Sequence, residues 1–233
     1  LALLFVCGHS ADGIGRMPGP SAVHDASRYI ELFEMQIGES PMDQGASAQI
    51  VDSQPPFDEA VHFAIETLAQ RKYPIFVSGD RQMTARAASC PTVAFFGKLG
   101  RPEMDEGSLF ARQPVVVAGV RAASSKVFQS VPGKVTLLTA QAVMEKKDLL
   151  VQALSHITEP VHLCIDLDVL APGTAQNSRS IEPGGLDWYA LSSLMDLVAM
   201  GPGLRSADIT GTCDVMPKSP AAVLCAQILL RTM

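Results

Sequence analysis

Short, continuous apolar runs recur along the chain and alternate with segments of helical periodicity. Each run lacks the alternation of a half-exposed strand, which is typical of strands covered on both faces of a parallel sheet. Strands that alternate with helices indicate an α/β domain, in which ligands bind at the carboxyl ends of the strands. The predicted strands are Leu3–Cys7, Pro74–Ser78, Thr92–Phe96, Pro114–Val120, Val135–Leu138, Val161–Ile165 and Leu204–Ile209.

Four segments carry apolar residues at the i, i+3, i+4 spacing of an amphipathic helix. They are Phe57–Arg71, Ala140–Leu154, Asp187–Ala199 and Ser219–Arg231. The last begins with Ser219, a residue type favoured at the N-cap, and Pro220 follows at the first helical position. Glu39–Pro56 has no clear period and many turn residues, so it is predicted to be a surface connection.

The length and composition predict a single domain, residues 1–233, with a large core. Apolar residues make up 47% of the chain, and the net charge is −6. There is no basic stripe, so neither nucleic acid nor a membrane is a predicted partner. The five cysteines show no paired spacing, which favours free buried thiols in the cytoplasm or another reducing compartment.

Two carboxylates follow the run Val161–Ile165. Asp166 and Asp168 stand two residues apart, and a strand projects alternate side chains to the same side. Two like charges this close are costly unless a cation lies between them. The spacing therefore predicts a cation at the carboxyl end of this strand. Asp208, which follows the apolar part of the last predicted strand, is interpreted as a residue that caps that strand.

Four segments then match one family in order along the chain. They read GRMPGPSAVHDA (15–26), SGDRQMT (78–84), CIDLDVLAPGTAQNSRSIEPGGLDWYAL (164–191) and ADITGTCDVMPKSPAAV (207–223). On these segments the chain resembles the ureohydrolase superfamily of arginase, agmatinase and formiminoglutamase. The resemblance implies a three-layer α/β/α fold with a mostly parallel central sheet. It also implies a pair of Mn²⁺ ions, held by four carboxylates and two imidazoles, that activates a bridging water.

Most of the metal ligands that this resemblance assigns are replaced. The His of the family's Gly-Asp-His turn falls on Arg81, which cannot ligate a metal. The Asp-Ala-His-x-Asp motif falls on Phe96, Lys98 and Gly100 at its three ligand positions. The two aspartates that remain are not expected to hold a binuclear cluster, so we expect manganese binding to be lost. The family's Glu that contacts the substrate guanidinium falls on Gly211.

The replacements include two cations. We hypothesise that Arg81 and Lys98 pair with Asp166 and Asp168 and balance their charge as the metals do in relatives. In the alternative arrangement both cations point into solvent and water screens the aspartates. The five histidines, at positions 9, 24, 62, 156 and 162, are interpreted as core or surface residues rather than ligands.

The sequence therefore predicts a metal-free, arginase-like pseudoenzyme with no catalytic residue. We expect it to have a regulatory role or to bind a small guanidino or amino-acid ligand. Family analogy implies a homo-oligomer, namely a trimer. Three alternatives stay open. One is an arginase- or agmatinase-type hydrolase of guanidino or amidino substrates with a remodelled metal site. Another is a phosphatase of the haloacid-dehalogenase type, with Asp166 as nucleophile. The third is a binding module of a different α/β fold.

Overall fold

A computed structural model describes most of the chain, with gaps between its segments. The described residues are 2–7, 19–28, 47–52, 62–64, 66–67, 70, 72–79, 90–100, 110, 115–175, 182–212 and 215–233. They form a central sheet of eight strands, in which every pair of neighbours is parallel. The strands are β1 Ala2–Cys7, β2 Ser47–Asp52, β3 Pro74–Ser78, β4 Thr92–Phe95, β5 Val115–Val120, β6 Val135–Thr139, β7 Val161–Asp166 and β8 Leu204–Thr210.

The strand order places β7 and β8 near the middle of the sheet. Across the sheet the order is β2-β1-β3-β8-β7-β4-β5-β6. All seven strands predicted from apolar runs are confirmed. Each strand is short, and most are buried on both faces. The exception to the sequence prediction is β2, which pairs with β1 inside the segment interpreted as a surface connection. β2 reads SAQIVD, and its longest apolar run is Ile50–Val51, so it lacks the continuous apolar run that revealed the others.

Helices follow several of the strands. They are α1 Gly19–Ala26, α2 Ser125–Ser130, α3 Ala140–Glu145, α4 Asp148–Leu154, α5 Trp188–Met200 and α6 Pro220–Thr232. The caps of the last two were predictable. Asp187 accepts a hydrogen bond from the amide of Ala190 at 2.7 Å, and Ser219 accepts one from Ala222 at 3.2 Å. Of the predicted helix Phe57–Arg71, residues 62–64 and 66–67 are described as helical.

The predicted helix Ala140–Leu154 is two helices. Lys146 leaves the helical conformation, with φ −140° and ψ 81°, and Asp148 begins α4. The apolar spacing runs through both pieces, so periodicity alone could not show the break. Val143 of α3 and Leu150 of α4 are both buried in the main core, which explains why one pattern spans two elements.

The two faces of the sheet bury separate clusters of apolar side chains. Phe95 and Ile165 belong to the larger cluster, whereas Phe96 and Cys164 belong to the smaller one on the opposite face. This alternation is what period-two strands produce. Of the cysteine side chains that the structure describes, Cys90, Cys164 and Cys225 form no disulfide and are buried. Within the described residues, no helix has the length and apolar character needed to cross a bilayer.

Candidate functional site

The two aspartates lie together at the carboxyl end of β7, in the middle of the sheet. Asp166 is the last residue of β7 and pairs in register with Thr210 of β8. On the other side, Ile165 pairs with Phe95, so Phe96 follows β4 next to Asp166. Asp168 lies one turn further on, in the 3₁₀ helix Leu167–Val169. Both aspartates are only 1% exposed, but Asp168 lies beyond the strand, so the alternation of a strand does not position it.

Each carboxylate oxygen of this pair accepts a hydrogen bond from the protein. Asp166 Oδ1 accepts from the amide of Asp168 at 2.8 Å, and Oδ2 accepts from the Thr210 hydroxyl at 3.1 Å. Asp168 Oδ1 accepts from the amide of Gly97 at 2.8 Å, and Oδ2 accepts from that of Lys98 at 3.2 Å. Hydrogen bonds of this kind stabilise the ionised form of a carboxylate, so part of the charge is offset by backbone dipoles.

The Lys98 side chain forms an ion pair that the sequence did not reveal. Its Nζ lies 2.7 Å from Oε1 of Glu182, and it is 42% exposed against 29% for Glu182. Lys98 does contact Asp168, but through its backbone amide. Arg81 lies outside the described residues. The hypothesis that Arg81 and Lys98 balance the charge of the two aspartates therefore stays a prediction, and Glu182 is an added competitor for Lys98.

The other positions that the resemblance assigns to metal ligands or substrate are either apolar or have no space for a side chain. Phe96 is fully buried in the smaller apolar cluster, beside Leu99 and Phe110. Gly100 has φ +80°, and a Cβ there would lie 2.7 Å from Cγ2 of Val127. Gly211 has φ +75°, and a Cβ there would lie 2.7 Å from Oδ1 of Asp166. A side chain at position 211 therefore needs the carboxylate of Asp166 to move.

Arg121, directly after β5, was missed by the sequence interpretation. Its Nη1 donates to the carbonyl of Asp168, its Nη2 to that of Leu170 at 3.3 Å, and its Nε to that of Glu182 at 3.3 Å. The guanidinium thus joins the turn after β7 to the segment that follows residue 181. Gly97 permits this approach, because a Cβ there would lie 2.2 Å from Nη1. The sequence signal that could have identified Arg121 is a charged residue directly after an apolar run.

A second buried polar group lies deeper in β7 and β8. Nδ1 of His162 is 2.7 Å from Oγ of Ser206, and its Nε2 is 3.5 Å from Oδ1 of Asp208. The interpretation of His162 as a core residue is confirmed, since it is fully buried. The interpretation of Asp208 as a strand cap is wrong, because β8 continues to Thr210 and Asp208 faces the neighbouring strand inside the sheet.

Comparison with known proteins gives the family. The sequence profile of the Arginase family matches residues 101–232, which is more than half of the chain. This chain belongs to the arginase family. No curated protein matches its sequence.

Solved structures of the family share the fold at low sequence identity. The agmatine ureohydrolase of Thermoplasma volcanium has a TM-score of 0.85 at 16% identity, over 99% of this chain and 88% of that one. Arginase from Bacillus cereus has a TM-score of 0.77 at 14% identity, over 99% and 96% of the two chains. Formimidoylglutamase from Bacillus subtilis has a TM-score of 0.78 at 15% identity, over 100% and 86%. These similarities confirm the predicted arginase-like α/β fold.

The positions to which the resemblance assigns the other four manganese ligands carry no metal-binding side chain. Phe96, Lys98 and Gly100 supply no carboxylate or imidazole, and Arg81 supplies only a cation. Among the described residues, no group of three or more His, Cys, Asp or Glu side chains could hold a metal ion. Burial raises the pKa of the Cys225 thiol on α6, and the charge of Asp166 raises it further.

Proposed function

We propose that this arginase-family protein is a pseudoenzyme that does not assemble the manganese pair and does not hydrolyse guanidino substrates. The observation that carries the proposal is that Asp166 and Asp168 have too few potential ligands around them, since the described residues hold no group of three or more His, Cys, Asp or Glu side chains that could bind a metal. All four of their carboxylate oxygens accept bonds from the protein's own amides and from one hydroxyl. These carboxylates serve as acceptors that tie the end of β7 to β4 and β8.

The charges of the remaining residues support this proposal. Two Mn²⁺ ions bring four positive charges, and two carboxylates neutralise only half of them. Each carboxylate oxygen already accepts one hydrogen bond, so a metal ion would have only its remaining lone pair. The other coordination positions of two Mn²⁺ ions would have to be filled largely by water, because the described residues hold no group of three or more His, Cys, Asp or Glu side chains that could bind a metal.

The substrate side of the site supports the same proposal. The carboxylate that the resemblance assigns to the guanidinium is absent at Gly211, and the position has no space for one while Asp166 keeps its place. A regulatory or ligand-binding role then remains for the fold. Assembly as a homo-oligomer, a trimer by family analogy, belongs to the same proposal. So does a reducing compartment, because the described cysteines are buried and form no disulfide.

Metal content tests the proposal directly. The protein is incubated with excess Mn²⁺, desalted and measured by mass spectrometry, with an active arginase treated alongside as the control. We expect a stoichiometry near zero and no urea from arginine or agmatine. Retention of one or two Mn²⁺ ions per chain that disappears in the Asp168→Asn variant would overturn the proposal. It would favour a guanidino hydrolase with a remodelled site instead.

A further inference from the structure

We propose that a cavity between α1 and the segment before α6 binds a small amino acid that carries two carboxylates. The cavity has a volume of about 580 Å³, within the range of small-molecule sites. α1 and α6 pack against each other, and the cavity lies where the end of α1 meets the start of α6. The described residues that line it are Asp25, Ala26, Arg28, Pro217, Lys218 and Val223.

Two cations in the lining are available to a ligand. Arg28 and Lys218 are both exposed, and within the described part of the chain neither side chain takes part in a hydrogen bond or an ion pair. Two such cations on one cavity attract an anion. A guanidinium holds a carboxylate through two parallel hydrogen bonds, and an ammonium acts as a point charge, so each of the two cations suits one carboxylate.

The backbone of Lys218 supports a role for its side chain. Its φ is +60°, and among the described residues it is the one non-glycine residue with positive φ. A side chain is disfavoured in this left-handed conformation, which glycine adopts without that cost. Strained residues of this kind cluster at ligand sites. The lysine is therefore present despite a local cost to stability, and the binding of an anion by its side chain explains why.

The third charge in the lining is negative and favours an ammonium group. Asp25 is the one acidic residue among the described lining residues, and its side chain is 64% exposed. Its Oδ1 lies 3.6 Å from Nδ1 of His24, which is too far for a hydrogen bond. Two positive charges and one negative charge are complementary to two carboxylates and one ammonium. Ala26, Pro217 and Val223 supply apolar contacts for the methylene groups between these charges.

The cavity is separate from the pair of aspartates at the end of β7. Neither Asp166 nor Asp168 is among the described residues that line it. Binding in this cavity requires neither manganese nor a guanidino substrate, so it does not depend on whether the chain is a pseudoenzyme. The measurement of manganese content and the measurement of amino-acid binding can therefore fail independently of each other.

The test titrates the full chain with L-glutamate in an isothermal calorimeter at low salt. We expect saturable binding. L-Glutamine lacks one carboxylate and glutarate lacks the ammonium, so each leaves one charge of the lining without its counterpart. Each analogue should bind several-fold more weakly than L-glutamate. Absence of saturable L-glutamate binding, or an equal affinity for either analogue, would overturn the proposal.

Variants of the two cations test whether binding takes place in this cavity. Lys218→Gly should weaken L-glutamate binding by roughly tenfold, yet melt at no lower temperature than the wild type, because it also removes the backbone strain. Lys218→Arg keeps the charge and should retain most of the affinity. Arg28→Met should also weaken binding, whereas Lys126→Met removes a cation of α2 outside the lining residues and should leave it unchanged. Equal affinity in Lys218→Gly and the wild type would place the amino acid elsewhere and overturn the proposal.

Asp25→Asn tests the ammonium end of the ligand. It removes both the partner of the ammonium and a charge that repels carboxylates. L-Glutamate should therefore bind more weakly, and glutarate more tightly, than they bind to the wild type. A change of both affinities in the same direction would overturn the proposal. So would dissociation of an oligomer by Lys218→Gly in sedimentation experiments, because the cavity would then be an interface between copies of the chain.

Discussion

Gly211 lies so close to Asp166 that any side chain at position 211 would displace the Asp166 carboxylate from its present position. A Cβ on Gly211 would lie 2.7 Å from Oδ1 and 3.2 Å from Oδ2 of Asp166. The first distance is shorter than a carbon and an oxygen tolerate without a bond. The glycine at position 211, to which the resemblance assigns a substrate-contacting Glu, and the hydrogen-bonded placement of Asp166 are therefore linked features of this chain.

Gly211→Ala should destabilise the fold through this contact. Gly203→Ala is the matched control, because Gly203 also has positive φ, +80°, yet has no atom within 4 Å of its added Cβ. The control should lose about 1–2 kcal/mol from backbone strain alone. Gly211→Ala should lose about 1–3 kcal/mol more from overpacking, measured by urea denaturation. Equal losses in the two variants would show that Asp166 moves aside freely.

Arg121→Met should loosen the turn after β7 and the segment that begins at residue 182. The guanidinium donates to carbonyls in both places, and we expect a loss of about 2–4 kcal/mol from these charged hydrogen bonds together. Hydrogen exchange should become faster at residues 168–170 and 182–186. Lys126→Met, on exposed α2, removes a cation without such bonds and should change neither quantity. Unchanged exchange in Arg121→Met would contradict the role assigned to it.

Cys225 should make the protein less stable at alkaline pH. Burial and the charge of Asp166 raise the pKa of its thiol in the folded state, so the thiol ionises first in the unfolded chain. Its contribution to stability is therefore complete below the ordinary thiol pKa of about 8.5 and is lost as the pH rises above that value. Above it, the free energy of unfolding should fall by up to about 1.4 kcal/mol per pH unit for this one group.

The variant that checks this is Cys225→Ala. Its free energy of unfolding, measured from about pH 7 to about pH 10, should fall less steeply than that of the wild type. Leu229→Ala on the same helix also destabilises the core, but it removes no titratable group and should keep the wild-type slope. Parallel curves for the wild type and Cys225→Ala would show that the thiol already ionises in the folded protein.

Much of the fold could be predicted because its strands are buried on both faces. The apolar runs located seven of the eight described strands, and β2 was missed because its sequence, SAQIVD, has no apolar run longer than two residues. The site was harder because its contacts join distant parts of the chain. Nothing in the sequence indicates that Lys98 meets Glu182, which is 84 positions away, or that Arg121 reaches the carbonyl of Asp168. The composition shows which charged side chains exist, whereas only the strand order shows which of them lie in contact.

The placement of the lost ligand motif can be tested by rebuilding it. The four substitutions Arg81→His, Phe96→Asp, Lys98→His and Gly100→Asp restore the ligand set that the resemblance assigns, together with the two native aspartates. The structure indicates one further change. Because a Cβ at position 100 would lie 2.7 Å from Cγ2 of Val127, Val127→Ala should accompany Gly100→Asp.

The rebuilt variant should be less stable than the wild type without metal, since Phe96→Asp places a carboxylate beside the smaller apolar cluster. It should then gain stability with Mn²⁺, by about 2.7 kcal/mol when the free ion is at a hundred times its dissociation constant. The same variant carrying Asp168→Asn is the control and should gain much less, because it lacks one of the native ligands. If the rebuilt chain folds but neither retains Mn²⁺ nor is stabilised by it, Phe96–Gly100 is not the lost motif. Urea release need not return, because Gly211 still lacks the carboxylate for the guanidinium.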